Sequence, residues 1–143
     1  MTELPSSITY SSVVSRDSVR IALTIAALND LSILACDIQN AYLSAPCREK
    51  IYCIAGPEFG SESVRKALYG LRSSGASFRA MLADTIWAMQ FRPSKADPDV
   101  WLRPAVMPDG RAYYEMILCC VDDVISISHK PMDGIEGIIY LER

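Results

Sequence analysis

An α+β fold, an antiparallel sheet with helices packed on one face, is what this sequence predicts, and three observations carry the prediction. Tyr113 to Val121 and Val124 to Ile127 are rich in strand-forming apolar residues and are separated only by Asp122-Asp123, so these two acids belong at the tip of a tight hairpin. Pro108-Asp109-Gly110 is a second hairpin signal just upstream, and it makes the preceding strand antiparallel to the one that follows. Phe78, Met81, Leu82, Thr85, Ile86 and Met89 recur at helical spacing on one face, the pattern of a helix laid on a sheet.

Composition sets the frame for these elements. The chain has 143 residues, half of them hydrophobic and 22% charged, which suits one globular domain with a single core. No apolar run approaches the ~20 residues that span a bilayer, and Met1 to Ser7 contain Glu3 but no basic or apolar leader pattern, so an intracellular protein with no membrane partner is expected. Five cysteines without a CxxC pair, and a single histidine, His129, give neither zinc-ligand spacing nor a secreted disulfide framework. The net charge is -3, yet Arg65 to Arg111 hold eight basic residues against four acids. A basic middle between acidic flanks can meet a phosphate backbone, although solvated faces give the same count.

In chain order, Ser6 to Ser12 reads as a polar connector. Asp17 to Leu28 is apolar nearly all round and predicts a buried or sandwiched helix, with Ser15 or Asp17 as its cap and Asn29-Asp30 as its end. Ser32 to Ile38 predicts a buried strand broken only by Asp37, a carboxylate expensive to bury unpaired. Lys50 to Ile54 predicts a short strand, followed by a glycine loop and the phrase Leu68-Tyr69-Gly70-Leu71. After the helix marked by Phe78 and its partners, Pro93 to Pro98 predicts a loop. Asp99 to Val106 predicts a strand that Pro104 assigns to an edge. Pro131, Gly134 and Gly137 predict a loosened chain before a last element beginning at Ile138.

Two neighbouring carboxylates repel and raise each other's pKa unless a cation or donors compensate. A rigid turn that presents such a pair is suited to holding something positive. If the strand bearing Asp37 lies beside the hairpin, three carboxylates converge, and oxygen ligands without histidine or thiolate favour Mg²⁺ (or Mn²⁺) over zinc. Two such ions a few ångströms apart form the clamp used in phosphoryl transfer.

Three segments in order, Asp37-Ile38-Gln39-Asn40-Ala41-Tyr42-Leu43, then Leu68-Tyr69-Gly70-Leu71, then Val121-Asp122-Asp123, resemble the reverse transcriptase of copia-type retrotransposons. Ile51-Tyr52 and Lys95-Ala96-Asp97-Pro98 resemble the family's linking phrases as well. The resemblance implies a polymerase palm-like sheet with partial fingers and no thumb: one partial reverse transcriptase domain over residues 1–143, with 1–14 an extended connector and 15–143 fingers and palm. It implies that Asp37, Asp122 and Asp123 are catalytic and bind two metal ions, with the Ile38 carbonyl added to the metal shell. The backbone around Gln39, Asn40 and Ala41 would face the triphosphate, Tyr42 would exclude a 2′-hydroxyl, and Ile38, Arg72 and Ser73 would complete the nucleotide site.

The implied reaction is RNA-directed DNA synthesis, attack of a primer 3′-hydroxyl on the α-phosphate of a deoxynucleoside triphosphate. Its partners would be an RNA or DNA template-primer and, within a polyprotein, integrase and RNase H. This chain departs from the family where Ser73 replaces a glutamine and Cys120 a tyrosine, and basic fingers, thumb and RNase H are expected to lie outside it. An alternative reading keeps the fold without turnover, as an inactive remnant or a domesticated nucleic-acid-binding or interaction module.

Overall fold

The computed structural model describes residues 12–38, 41, 45 and 74–139. The chain divides into two compact units, Met1–Ser11 with Asn40–Met81 and Ser12–Gln39 with Leu82–Arg143. The second carries a five-stranded antiparallel sheet in the order β1-β5-β4-β3-β2. Its strands are β1 (Ser32–Asp37), β2 (Arg92–Pro93), β3 (Val100–Val106), β4 (Ala112–Cys119) and β5 (Asp123–Ser128). Three helices accompany them among the described residues: α1 (Arg16–Leu28), α2 (Ser74–Ala88) and α3 (Pro131–Ile139). The α+β class expected from the sequence is the class observed.

Helix α1 begins where a serine can cap it. The Ser15 side chain accepts the Ser18 N–H, and Asn29 ends the helix by donating its N–H to the Ile25 and Ala26 carbonyls. The helix buries a small-residue stripe, Ala22 and Ala26, on a core that includes Val14, Met116, Leu118 and Ile127, with Val19 of the same helix partly buried against it. Ile21 stays 61% exposed and Leu28 77%, so the expectation of a buried or sandwiched helix is corrected. Alanines at i and i+4 let the backbone approach the sheet closely, and the larger side chains are left on the outer flanks.

The expectation of helices on one sheet face is corrected too. Met116 and Leu118 face α1, and side chains alternate along a strand, so Ile117 between them faces the other way. On that second face lies α3, with Gly134 against Ser126 and Ile117. Sequence reasoning took Gly134 and Gly137 as loosening the chain, since glycine disfavours helix interiors. Their use is in close packing: a Cβ on Gly134 would come 2.7 Å from Ser126 Oγ, and one on Gly137 2.5 Å from Met89 Cε. Pro131 stands at the first helical position, where its missing N–H costs nothing.

Strand β1 is the sheet's edge, mostly exposed rather than buried. Its apolar residues are half-covered on one side only, which periodicity cannot distinguish from a central strand. Within β3, Pro104 has Tyr114 as its partner on β4, while the two-residue β2 reaches only Leu102 and Trp101. Proline therefore sits where the strand has one neighbour, as its lack of a donor requires. In α2, Phe78, Leu82 and Ile86 are buried at intervals of four, matching the predicted stripe. The expected strand at 50–54 and the Leu68-Tyr69-Gly70-Leu71 phrase lie outside the described residues.

Candidate functional site

The site is built by two hairpin strands and the edge strand beside them. Cys119 pairs with Val124, and the Cys120 N–H donates to the Asp123 carbonyl over 2.9 Å, leaving Val121-Asp122 as a two-residue loop. Left-handed backbone occurs among the described non-glycine residues at Asp30 and Gln90, so Val121 and Asp122 do not use the glycine-like turns that such loops favour. What holds this turn is the sheet on its other side. The Ile38 N–H donates to the Asp122 carbonyl at 2.9 Å, stitching the end of β1 to the loop itself.

That bond fixes how the acids meet. Asp37 is the register partner of Asp123, and Asp123 spends its carbonyl on Cys120 of the opposite strand. Asp37 and Asp123 are therefore a pair without hydrogen bonds between their backbones, the type whose Cα atoms stand ~4.5 Å apart with side chains on one face. Like charges so placed repel. Both residues are exposed, whereas Asp122 is half-buried. Its Oδ1 is shielded from solvent and has no hydrogen-bond partner.

Among the described residues no lysine or arginine neutralises the three. Arginines elsewhere are engaged with other acids, Arg20 with Asp17, Arg103 with Glu115 and Arg111 with Asp109. A shielded carboxylate oxygen with no donor carries a desolvation cost that a bound cation would remove. The donor set, all oxygen, fits a hard divalent ion. The three side chains are not, however, drawn into a closed ligand cluster: among the described residues no group of three or more His, Cys, Asp or Glu is arranged to hold a metal.

Cys120 sits at the foot of the loop. Burial pushes its thiol pKa up, and the negative charges of Asp123 and Asp99 add to the shift. It stays a neutral thiol at physiological pH, not a second anion among the carboxylates. Of the remaining residues expected at the site, Ile38 is half-buried and Ala41 fully buried. Gln39, Asn40, Tyr42, Arg72 and Ser73 lie outside the described residues.

Sequence reasoning missed Asp97. It is buried, and its carboxylate accepts the Ser15 N–H at 2.9 Å, the Ser18 hydroxyl at 2.6 Å and the Asp99 N–H at 3.0 Å. Burial raises its pKa, but the donated hydrogen bonds, that of Ser18 foremost, outweigh it and hold the group below its ordinary value. The Asp97-Pro98 dipeptide was the available signal, because an acid followed by proline favours a turn in which the side chain accepts a nearby N–H.

The described residues thus form an antiparallel α+β sheet with an acidic hairpin beside a third carboxylate. The chain belongs to the reverse transcriptase (RNA-dependent DNA polymerase) family, whose model matches residues 6–140. It is 26% identical over 130 residues to the retrovirus-related Pol polyprotein from transposon RE1 of Arabidopsis thaliana, and 27% identical over 124 residues to that from transposon RE2. These matches cover 86% and 82% of the chain but 8% of each relative. The chain thus spans less than a tenth of the polyproteins it resembles, and the resemblance to copia-type reverse transcriptases is borne out. No solved structure matches it. Among the described residues no helix is long and apolar enough to cross a membrane.

Proposed function

We propose that this reverse transcriptase domain supplies the palm of a retrotransposon polymerase, in which Asp37, Asp122 and Asp123, with the Ile38 carbonyl, hold two Mg²⁺ or Mn²⁺ ions. The observation that carries the reading is the Asp37–Asp123 register beside an Asp122 oxygen that has no donor. Bound ions would offset charge on the attacking and leaving oxygens during nucleotidyl transfer. The chain's own part is positional: strand pairing on both sides of β5 sets the carboxylates before substrate arrives, so little reorganisation is left for the reaction.

On this reading the backbone around Gln39 to Ala41, with Arg72 and Ser73, borders the deoxynucleoside triphosphate, and Tyr42 screens the sugar. The template-primer lies across the acidic hairpin, and integrase and RNase H are further parts of the same polyprotein, inside the cell. Primer extension on an RNA template by a polyprotein segment containing this chain tests it. Incorporation should fall by about 10²–10³-fold or more in Asp122→Asn, and undiminished incorporation by that variant would contradict the assignment. The departures at Ser73 and Cys120 favour a second reading, the same fold without turnover. It predicts no incorporation by this chain even with flanking polyprotein sequence, and restored incorporation when a homologous active segment replaces it.

A further inference from the structure

We propose that Asp97 is a positioning residue for the carboxylate hairpin, acting as the joint of a closed hydrogen-bond circuit that fixes the hairpin's base. The circuit runs through three segments distant in sequence, at residues 14–18, 97–99 and 119. From α1, the Ser15 N–H and the Ser18 hydroxyl reach Asp97 Oδ2. Asp97 Oδ1 accepts the Asp99 N–H, and the Asp99 carbonyl accepts the Cys119 N–H at 2.9 Å. The Cys119 carbonyl then accepts the Val14 N–H at 3.1 Å, and Val14 adjoins Ser15, where the circuit began.

Two features separate this from an ordinary surface cap. Asp97-Pro98-Asp99-Val100 is a turn closed by the Val100 N–H on the Asp97 carbonyl at 3.1 Å, with proline at its second position, where a fixed φ is preferred. Asp97 is thus rigid in its backbone and satisfied through both oxygens of its side chain. Cys119 is also the last residue of β4 and directly precedes the loop Cys120 to Asp123. Every freedom removed at Cys119 is removed from the lever that carries Asp122 and Asp123. The loop itself has neither a proline to fix its backbone nor a glycine-type turn to complete it locally, so its aim depends on what grips its base.

The two oxygens make the proposal testable with one atom. In Asp97→Asn the single remaining oxygen keeps most by facing Ser15 and Ser18, which turns the amide NH₂ toward the Asp99 N–H and opens the circuit in its middle. Amide hydrogen exchange on the chain should then rise at least tenfold more at Asp99 and Cys119 than at Ile127, a core residue of the same sheet, while the Ser15 and Ser18 amides stay protected. Asp97→Ala should free both ends; if that variant does not fold, the asparagine variant decides alone. Equal changes at Cys119 and Ile127, or none at Cys119, would overturn the proposal.

The bearing of Asp97 on catalysis rests on the polymerase reading above. Mn²⁺ alone, added to both proteins, separates the two claims. If Mn²⁺ broadens the Asp123 amide signal in the wild type, Asp97→Asn should need severalfold more to do so, and an unchanged midpoint would overturn the positioning role. If Mn²⁺ leaves Asp123 untouched in the wild type, the metal reading fails, and the exchange pattern still decides the positioning of the hairpin.

Discussion

The two hairpins that share β4 are made on opposite principles. At the β3–β4 end, Met107 accepts the Gly110 N–H at 2.9 Å and donates to the Arg111 carbonyl at 2.8 Å. Gly110 takes the left-handed φ of 87°, and Asp109 is answered twice by Arg111, through its N–H at 2.9 Å and its guanidinium at 3.8 Å. Every local demand is met by local residues. At the β4–β5 end there is no glycine and no proline, two acids are adjacent, a third on β1 is the partner of Asp123, and one shielded oxygen has no donor. The first turn is complete in itself; the second leaves a shielded Asp122 oxygen without a hydrogen-bond donor.

Substitutions can break this contrast, and the largest effect is expected from exchanging the turns' backbone demands. Gly110→Val places a β-branched residue at a φ it rarely adopts and should cost about 1–2 kcal/mol or more in denaturant unfolding. Val121→Gly has no such φ to relieve and should destabilise by about 0.5–1 kcal/mol through lost backbone restriction alone. A stabilising Val121→Gly would show that the acidic turn is strained like its neighbour.

Acid sharpens the same contrast, with Asp97 as the satisfied carboxylate. Its folded pKa lies below the ordinary value of 3.8, so its contribution is fully present above that value and is lost as the pH falls through it toward the folded value. Asp97→Ala should remove about 1 kcal/mol at neutral pH, as loss of a helix cap does, and should flatten the acid limb of the stability curve. A variant as stable as the wild type at pH 7 but not at pH 3 would reverse the sign and contradict the account.

The smallest effect is a difference in direction. Asp109→Ala removes an N–H acceptor and an exposed ion-pair partner and should lower stability by a few tenths of a kcal/mol. Asp37→Asn removes a like charge facing Asp123 and should raise stability by a similar amount in the metal-free chain, the exchange of stability for function expected of a site. Thermal unfolding of both variants in chelator-treated buffer reads the two signs.

How far the sequence disclosed this arrangement depends on the range of the interaction involved. The Ser15 cap, the end of α1, the Pro108-Asp109-Gly110 turn and the acidic hairpin were all legible, because each is decided within a few residues. The Asp37–Asp123 pairing was reachable as a hypothesis because both acids end apolar strands. The exposure of β1 and of α1's flanks was not, since periodicity shows which side is apolar but not what covers it. Helix α3 was hidden because Gly134 and Gly137 argue locally against a helix, and only contact with Ser126 and Met89 explains them. The Asp97 circuit joins groups about eighty positions apart, and no local pattern announces it.

The central claim is that the β4–β5 turn and the end of β1 form a cation site, while the β3–β4 turn does not. Titrating the chain with Mn²⁺ and following amide line broadening tests it most directly, because both turns carry an exposed aspartate, and the one at Asp109 is already paired with Arg111. Ile38, Asp122 and Asp123 should broaden first, at Mn²⁺ levels that leave Asp109 and Gly110 sharp, and the double variant Asp122→Asn, Asp123→Asn should erase the difference. Broadening at Asp109 equal to that at Asp123, or selectivity that survives the double variant, would contradict it.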